Sequence, residues 1–202
     1  MNADHASRRR EGDVQHTAGD VTAETRLVDD ARQRDASAFE LLVKLHVDRL
    51  YGAAKLIVRD GDMAHDAVQD ALVRAWQDLP RLRESDRFEP WLQRILVHSC
   101  LDLLRRERRW TAKLRLLPPL ERIEAGTDAV ADRELIGAAF RRLSVDHRVV
   151  LTLHFYLDLA PVEIAERVGI APGTARSRLH YALEACRAAM AADARRANEG
   201  LA

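Results

Sequence analysis

Residues Pro161–Leu183 read PVEIAERVGIAPGTARSRLHYAL. Pro161 suits the first position of a helix, where its missing N–H is not needed, and Gly169 suits the position that ends one. Between them Val162, Ile164, Ala165 and Val168 form an apolar face at helical spacing. After the turn Ile170–Gly173, a longer helix is expected to about Ala192. A short helix, a turn and a second helix make the helix-turn-helix signature. On the second helix Leu179, Leu183, Cys186 and Met190 recur at i, i+4, i+7 and i+11, a spacing that predicts a buried stripe. Arg176, Ser177, His180 and Tyr181 fall on another face, in the half of the helix that meets base edges in a major groove. Such a face is also that of any solvated helix, and the Pro161–Gly169 unit before it is what points to DNA.

Upstream the same periodicity continues. A short helix is expected over Ala23–Arg34, and Asp35 is placed to cap a longer one carrying Phe39, Leu42, Leu45, Leu50, Ala54 and Ile57. Gly61 is expected to break it and Asp62 to cap the next. That third helix carries Ala64, Ala67, Val68, Ala71, Leu72, Ala75 and Trp76 on one stripe and stops at Leu79–Pro80. After a loop, Asp86 and Pro90 mark the start of a fourth, with Phe88, Trp91, Leu92, Ile95, Leu101 and Leu104 facing inward. Pro118–Pro119 interrupts the pattern. Helices resume at about Ala131–Leu143 and, after the candidate cap Ser144, over Val145–Leu157. The fold class is therefore all-α: two small helical domains joined by a flexible linker, with no credible place for a strand.

The 202 residues carry 32 Lys+Arg and 32 Asp+Glu, a formal net charge of zero. A zero excludes a uniformly basic coat, but the signs are segregated. Five aspartates and one arginine give the third helix, Asp60 to Leu79, a local charge of −4. Such a face repels DNA and fits a basic protein partner, or is a solvated face with Asp70–Arg74 as an i,i+4 pair. Arg94, Arg105, Arg106, Arg108, Arg109, Lys113 and Arg115 against Asp102 and Glu107 give +5 at the end of the fourth helix. That run either neutralises phosphates or complements the dipole of its own helix. Residues 121–134 hold five acids and two arginines, a charge of −3.

No apolar run is long enough to cross a membrane, and the arginines at 8–10 precede no apolar stretch, so neither membrane insertion nor a secretory signal is indicated. Eight histidines are scattered without a metal-ligand or hydrolase pattern, and His46 and His154 read as packed or surface residues. Cys100 and Cys186 form no CxxC and sit near core stripes. No catalytic residue, metal site or cofactor is expected, which leaves an unrecognised helical enzyme as a remote reading.

The stretch Ala64–Trp76 (AHDAVQDALVRAW) with Phe88–Ile95 (FEPWLQRI) resembles region 2 of the extracytoplasmic-function (ECF) sigma factors. Leu143–Arg148, Glu163–Ala165 and Gly173–Leu179 (GTARSRL) resemble their region 4. The two blocks occur in the right order across most of residues 35–192, which separates the chain from a stand-alone helix-turn-helix regulator with an N-terminal sensing or dimerisation domain. The polar, aperiodic residues 1–22 are expected to be a disordered tail, and the resemblance implies region 2 over 23–110, a linker over 111–130 and region 4 over 131–195.

It also implies a cytoplasmic factor that binds core RNA polymerase and directs promoter-specific initiation. Asp66, Gln69 and Asp70 match the family's polymerase-docking face. Arg81, Arg83, Arg87, Arg94, His98, Arg105 and Arg106 are the candidates for opening the −10 element and holding an extruded base. Thr174, Arg176, Ser177, Arg178, His180 and Tyr181 are those for the −35 element, with Thr174 and the amides around it at a phosphate. The acidic 121–134 segment reads either as an RNA-like polyanion in the polymerase or as a solvated tether. His98 stands where the family usually has Asn, Leu96 where it often has Ala, and Tyr181 and Leu183 where it commonly has arginines. With the chain ending soon after the last helix, control by an anti-sigma factor is expected.

Overall fold

The computed structural model describes residues 22–114, 140 and 142–199. The expected tail up to residue 21, Arg115 of the basic run, most of the linker and the acidic 121–134 segment lie outside the described residues. All regular structure among the described residues is helical: α1 (22–32), α2 (Ala36–Val58), α3 (Gly61–Asp78), α4 (Phe88–Leu114), α5 (Val145–Leu151), α6 (Pro161–Val168) and α7 (Pro172–Glu199). Two short 3-10 turns, Leu79–Arg81 and Ser85–Arg87, connect α3 to α4.

The helices begin and end where local chemistry lets them. Asp35 caps α2, its carboxylate accepting from the amides of Ser37 and Ala38 at 2.8 and 3.1 Å. The break before α3 differs from the expectation. Asp60, not Asp62, is the cap, accepting from the Met63 amide at 2.8 Å. Arg59, not Gly61, takes the left-handed turn that ends α2, with φ 68°, so Gly61 is already helical. Asp86 lies in the 3-10 turn before α4 rather than at a helix cap, while Pro90 sits in the first turn of α4 as expected. α4 also runs past Trp110 to Leu114, into the start of the expected linker.

Ser144 caps α5 by accepting from the His147 amide at 3.2 Å. Replacing it with alanine is expected to cost about 1 kcal/mol, read as a lower urea midpoint at unchanged m-value. The helix expected to run to Leu157 instead ends at Leu151 and widens into a π turn, Thr152–Tyr156, closed by the Leu157 amide on the Thr152 carbonyl at 3.2 Å. Asp158 then turns left-handed with φ 57°, and the Leu159 carbonyl meets Nδ1 of His154 at 2.9 Å.

Among α1–α4 the core is built by Leu42, Leu50, Ile57, Ala64, Ala67, Ala71, Phe88, Leu92 and Leu96, all buried. Leu45, expected among them, is 63% exposed. The seam of α2 passes one position on, through His46, which pairs with Glu24 of α1 at 2.9 Å and stacks near Phe88. Among α5–α7, Ile164 and Ala165 of α6 pack with Ala175, Leu179 and Ala182 of α7. Val162 and Met190, both expected inside, are exposed. The buried seam of α7 runs through the small residues Ala175, Ala182 and Ala189, and Met190 lies at its margin, one position past Ala189.

The two groups of helices pack against each other, α6 on α4 and α5 with its π turn on α2. Arg148 of α5 is buried and donates from Nε to the Ile57 carbonyl at 2.8 Å and from Nη1 to the Leu143 carbonyl at 3.0 Å. Ile57 lies in the last turn of α2, whose carbonyls lack helical partners and carry the negative end of the dipole. Burial, and then the nearby Arg59 and Arg108, push the Arg148 guanidinium down to about 10, so it remains charged at neutral pH.

Candidate polymerase and nucleic-acid interfaces

The exposed face of α7 is fixed by what precedes it. The Glu163 carboxylate accepts from the Ala160 amide at 2.7 Å and starts α6, and Gly169 ends it with φ 77°. The amides of Gly169 and Ile170 both return to the Ala165 carbonyl, at 2.8 and 3.0 Å. A side chain with a Cβ adopts that φ only with strain, so the angle between α6 and α7 depends on a glycine here. With Ala175, Leu179 and Ala182 buried, Thr174, Arg176, Ser177, His180 and Tyr181 point outward together.

Within that face the Ser177 hydroxyl donates to the Thr174 carbonyl at 3.1 Å. His180 meets Glu184 at 3.5 Å and lies edge-on to Tyr181, ring centres 5.5 Å apart. Arg178 differs from its neighbours. It is half-buried and pairs with Asp146 of α5 at 3.3 Å, tying α7 to the helix behind it. Arg176, two residues earlier, is fully on the outside.

On α4, Arg94, His98 and Arg105 follow one another at intervals of four and seven, so they share one face, and Arg87 precedes them in the second 3-10 turn. Arg94 and Arg106 are exposed. His98 meets the Arg94 carbonyl through Nδ1 at 2.7 Å. A carbonyl only accepts, so Nδ1 is the donor in this bond, and Nε2 is left for another partner. Arg105 pairs with Asp102 at 3.1 Å, and Arg81, in the 3-10 turn, with Asp78 at 3.1 Å. Arg83 is exposed between the two turns. Arg87 lies 4.0 Å from Glu84 and 3.9 Å from Glu166 of α6.

α3 carries the opposite sign. Asp66 and Gln69 are exposed, and Asp70 is held by Arg74 at 2.9 Å, the expected i,i+4 pair, while Arg74 also reaches Asp102 of α4 at 3.4 Å. Beside this stripe an apolar groove of about 590 Å³ opens between α2 and α3, lined by Phe39, Val68, Gln69, Leu72, Val73 and Trp76 among others. In its wall Phe39 and Trp76 pack with ring centres 5.0 Å apart, and the Arg34 guanidinium lies over the indole at 5.3 Å. An acidic rim beside an apolar groove fits a basic, amphipathic protein surface.

Burial pushes the Cys100 thiol up to about 12, which keeps it unreactive at neutral pH, and Cys186 is half-buried. Among the described residues no His, Cys, Asp or Glu cluster is placed to hold a metal, and no helix is long and apolar enough to cross a membrane.

Residues 42–110 match the Sigma-70 region 2 family model, and residues 133–186 match the Sigma-70, region 4 model. Over 169 residues the chain is 32% identical to the ECF RNA polymerase sigma factor SigL of Mycobacterium tuberculosis, covering 79% of this chain and 93% of that protein. The chain belongs to the ECF sigma factors. It is 33% identical over 147 residues to SigM of the same species, covering 71% of this chain and 72% of that protein. Among solved structures, the sigma factor resembles CnrH bound to the cytosolic domain of CnrY, with a TM-score of 0.61 and 25% identity over 85% of this chain and 99% of that one. The fold is also that of RpoE of Bartonella quintana, solved with the anti-sigma factor NepR, at a TM-score of 0.64 and 23% identity over 77% of this chain and 98% of that one. Like its relatives, this sigma factor is a transcription-initiation factor.

Sequence reasoning missed the residues that join the two regions: Arg49, Gln93, Arg148 and Arg167. A signal existed for two of them. Arg167 lies three residues after Ile164, on the face otherwise read as apolar, and Arg148 leads directly into Val149–Leu151. An arginine in register with a core stripe marks a buried guanidinium with carbonyl or amide partners.

Proposed function

We propose that this sigma factor docks on core RNA polymerase through Asp66, Gln69 and Asp70 and the groove beside them. It reads the −35 element with Thr174, Arg176, Ser177, His180 and Tyr181 on α7. It opens and holds the −10 element with Arg81, Arg83, Arg87, Arg94, His98, Arg105 and Arg106. Arg178, paired behind the face, positions α7 rather than reading a base. With Nδ1 of His98 engaged by the Arg94 carbonyl, its Nε2 is left to meet an unstacked base. It acts in the cytoplasm as a specificity subunit and performs no chemistry of its own. An anti-sigma factor holds it inactive, and the similar CnrH is solved with a protein partner, the cytosolic domain of CnrY, bound to it.

The observation that carries this reading is the segregation of charge onto separate exposed faces, acidic on α3 and cationic on α4 and α7, in a chain of zero net charge. The test is reconstitution. Purified chain with core polymerase is expected to give transcription from specific promoters, and neither component alone should do so. Footprinting of an operator by the chain alone, without promoter-specific transcription when polymerase is added, would instead make it a stand-alone helix-turn-helix regulator.

A further inference from the structure

Residues 79–87, between α3 and α4, carry Arg81, Arg83 and Arg87. Leu79 and Leu82 are buried beneath the segment, and Arg81 and Arg83 stand exposed on it. Both of its flanks are held from α1 and the turn that follows. Arg34, left-handed in that turn with φ 73°, donates from Nη1 to the Trp76 carbonyl in the last turn of α3, at 2.9 Å. At the other flank the Ser85 hydroxyl donates to the Asp29 carboxylate and accepts from Nη1 of Arg32 at 3.2 Å. Arg32 and Asp29 also pair with each other at 3.2 Å, which closes a ring of three side chains. α1 is itself fixed to the bundle by Val28 and Ala31, both fully buried, and by Glu24 on His46 of α2 at 2.9 Å.

We propose that α1 sets the geometry of the −10-reading loop, with Asp29, Arg32 and Arg34 as positioning residues that act through Ser85 and Trp76. The inference rests on the assignment of Arg81, Arg83 and Arg87 to the −10 element. All three positioning residues precede residue 42, where the match to the region 2 family model begins. A long arginine side chain discriminates between bases only if the backbone that carries it is held in one place. A hydroxyl that donates to a carboxylate and accepts from a guanidinium at once has its direction fixed from two sides. The loop is therefore ordered before the promoter arrives, and the cost of ordering it does not fall on DNA binding. The ring lies at the surface, where ion pairs contribute little to global stability, so its effect is on the loop rather than on the fold.

Ser85→Ala and Asp29→Ala test this in the holoenzyme formed with core polymerase. The probes are the single-stranded −10 sequence that wild-type holoenzyme selects from a random library, and a scrambled strand of the same composition. Each variant is expected to lose about tenfold in affinity for the selected strand, as when the reading geometry is populated about one time in ten. Affinity for the scrambled strand should stay within about twofold of wild type, because phosphate contacts carry no sequence information. A loss of folded protein would lower both affinities in the same proportion, so their ratio separates positioning from stability. The double variant should lose no more than either single one, because both act through one contact. An unchanged ratio in either variant would overturn the proposal, and a loss confined to Ser85→Ala would make that hydroxyl a direct base contact instead. Losses that add in the double variant would overturn it as well. A wild type that selects no sequence would overturn the −10 assignment itself, and this inference with it.

Discussion

The double reversal Asp66→Arg with Asp70→Arg is expected to abolish binding to core polymerase while leaving the chain folded. Both residues lie on the outward face of α3, away from Ala64, Ala67, Ala71 and Ala75, which hold the helix to the core. Reversing two charges against a basic partner replaces two attractions by two repulsions, and like charges at an interface cost several kcal/mol. The stability cost is far smaller. Losing the Asp70–Arg74 pair and creating a like-charged i,i+4 pair amounts to about 0.5 kcal/mol each way. Co-purification with polymerase should therefore be lost at an almost unchanged thermal midpoint. Retained binding would mean that the acidic stripe is only solvated surface.

Arg176→Ala is expected to relax recognition at one position of the −35 element at a cost of about 1–3 kcal/mol, or roughly five- to 150-fold in affinity for the preferred sequence. Arg178→Ala should behave differently. Its guanidinium is committed to Asp146, so its loss should loosen α7 against α5 and lower affinity across all sequences without shifting the preferred base. Selection from a randomised −35 library with each variant holoenzyme separates the two. A uniform loss with Arg176→Ala would make it a phosphate contact instead.

The contrast between those two arginines shows where sequence reading stops. Both lie in the same GTARSRL run, and periodicity divides them only into neighbouring sectors of one helix. What separates them is an aspartate more than thirty positions upstream, brought beneath Arg178 by the packing of α5 on α7. The cap at Asp35 and the left-handed Gly169 were legible because a helix end is a local event, settled within a few residues. The exposure of Leu45, Val162 and Met190 was not, because a hydrophobic residue at the margin of a stripe is in or out according to the tilt of its neighbour.

The sequence by itself determined the order of the described helices, the helix-turn-helix and the segregation of charge onto α3, α4 and α7. These depend on capping, on 3.6-residue periodicity and on composition, all of which act over a few turns. Only the tertiary structure decided that Arg148 closes the end of α2, that Arg167 meets Gln93 and that Tyr156 fills the space left by Gly52. Those pairs are 74 to 104 positions apart. A buried guanidinium or an absent Cβ has no meaning until the surface opposite it is known.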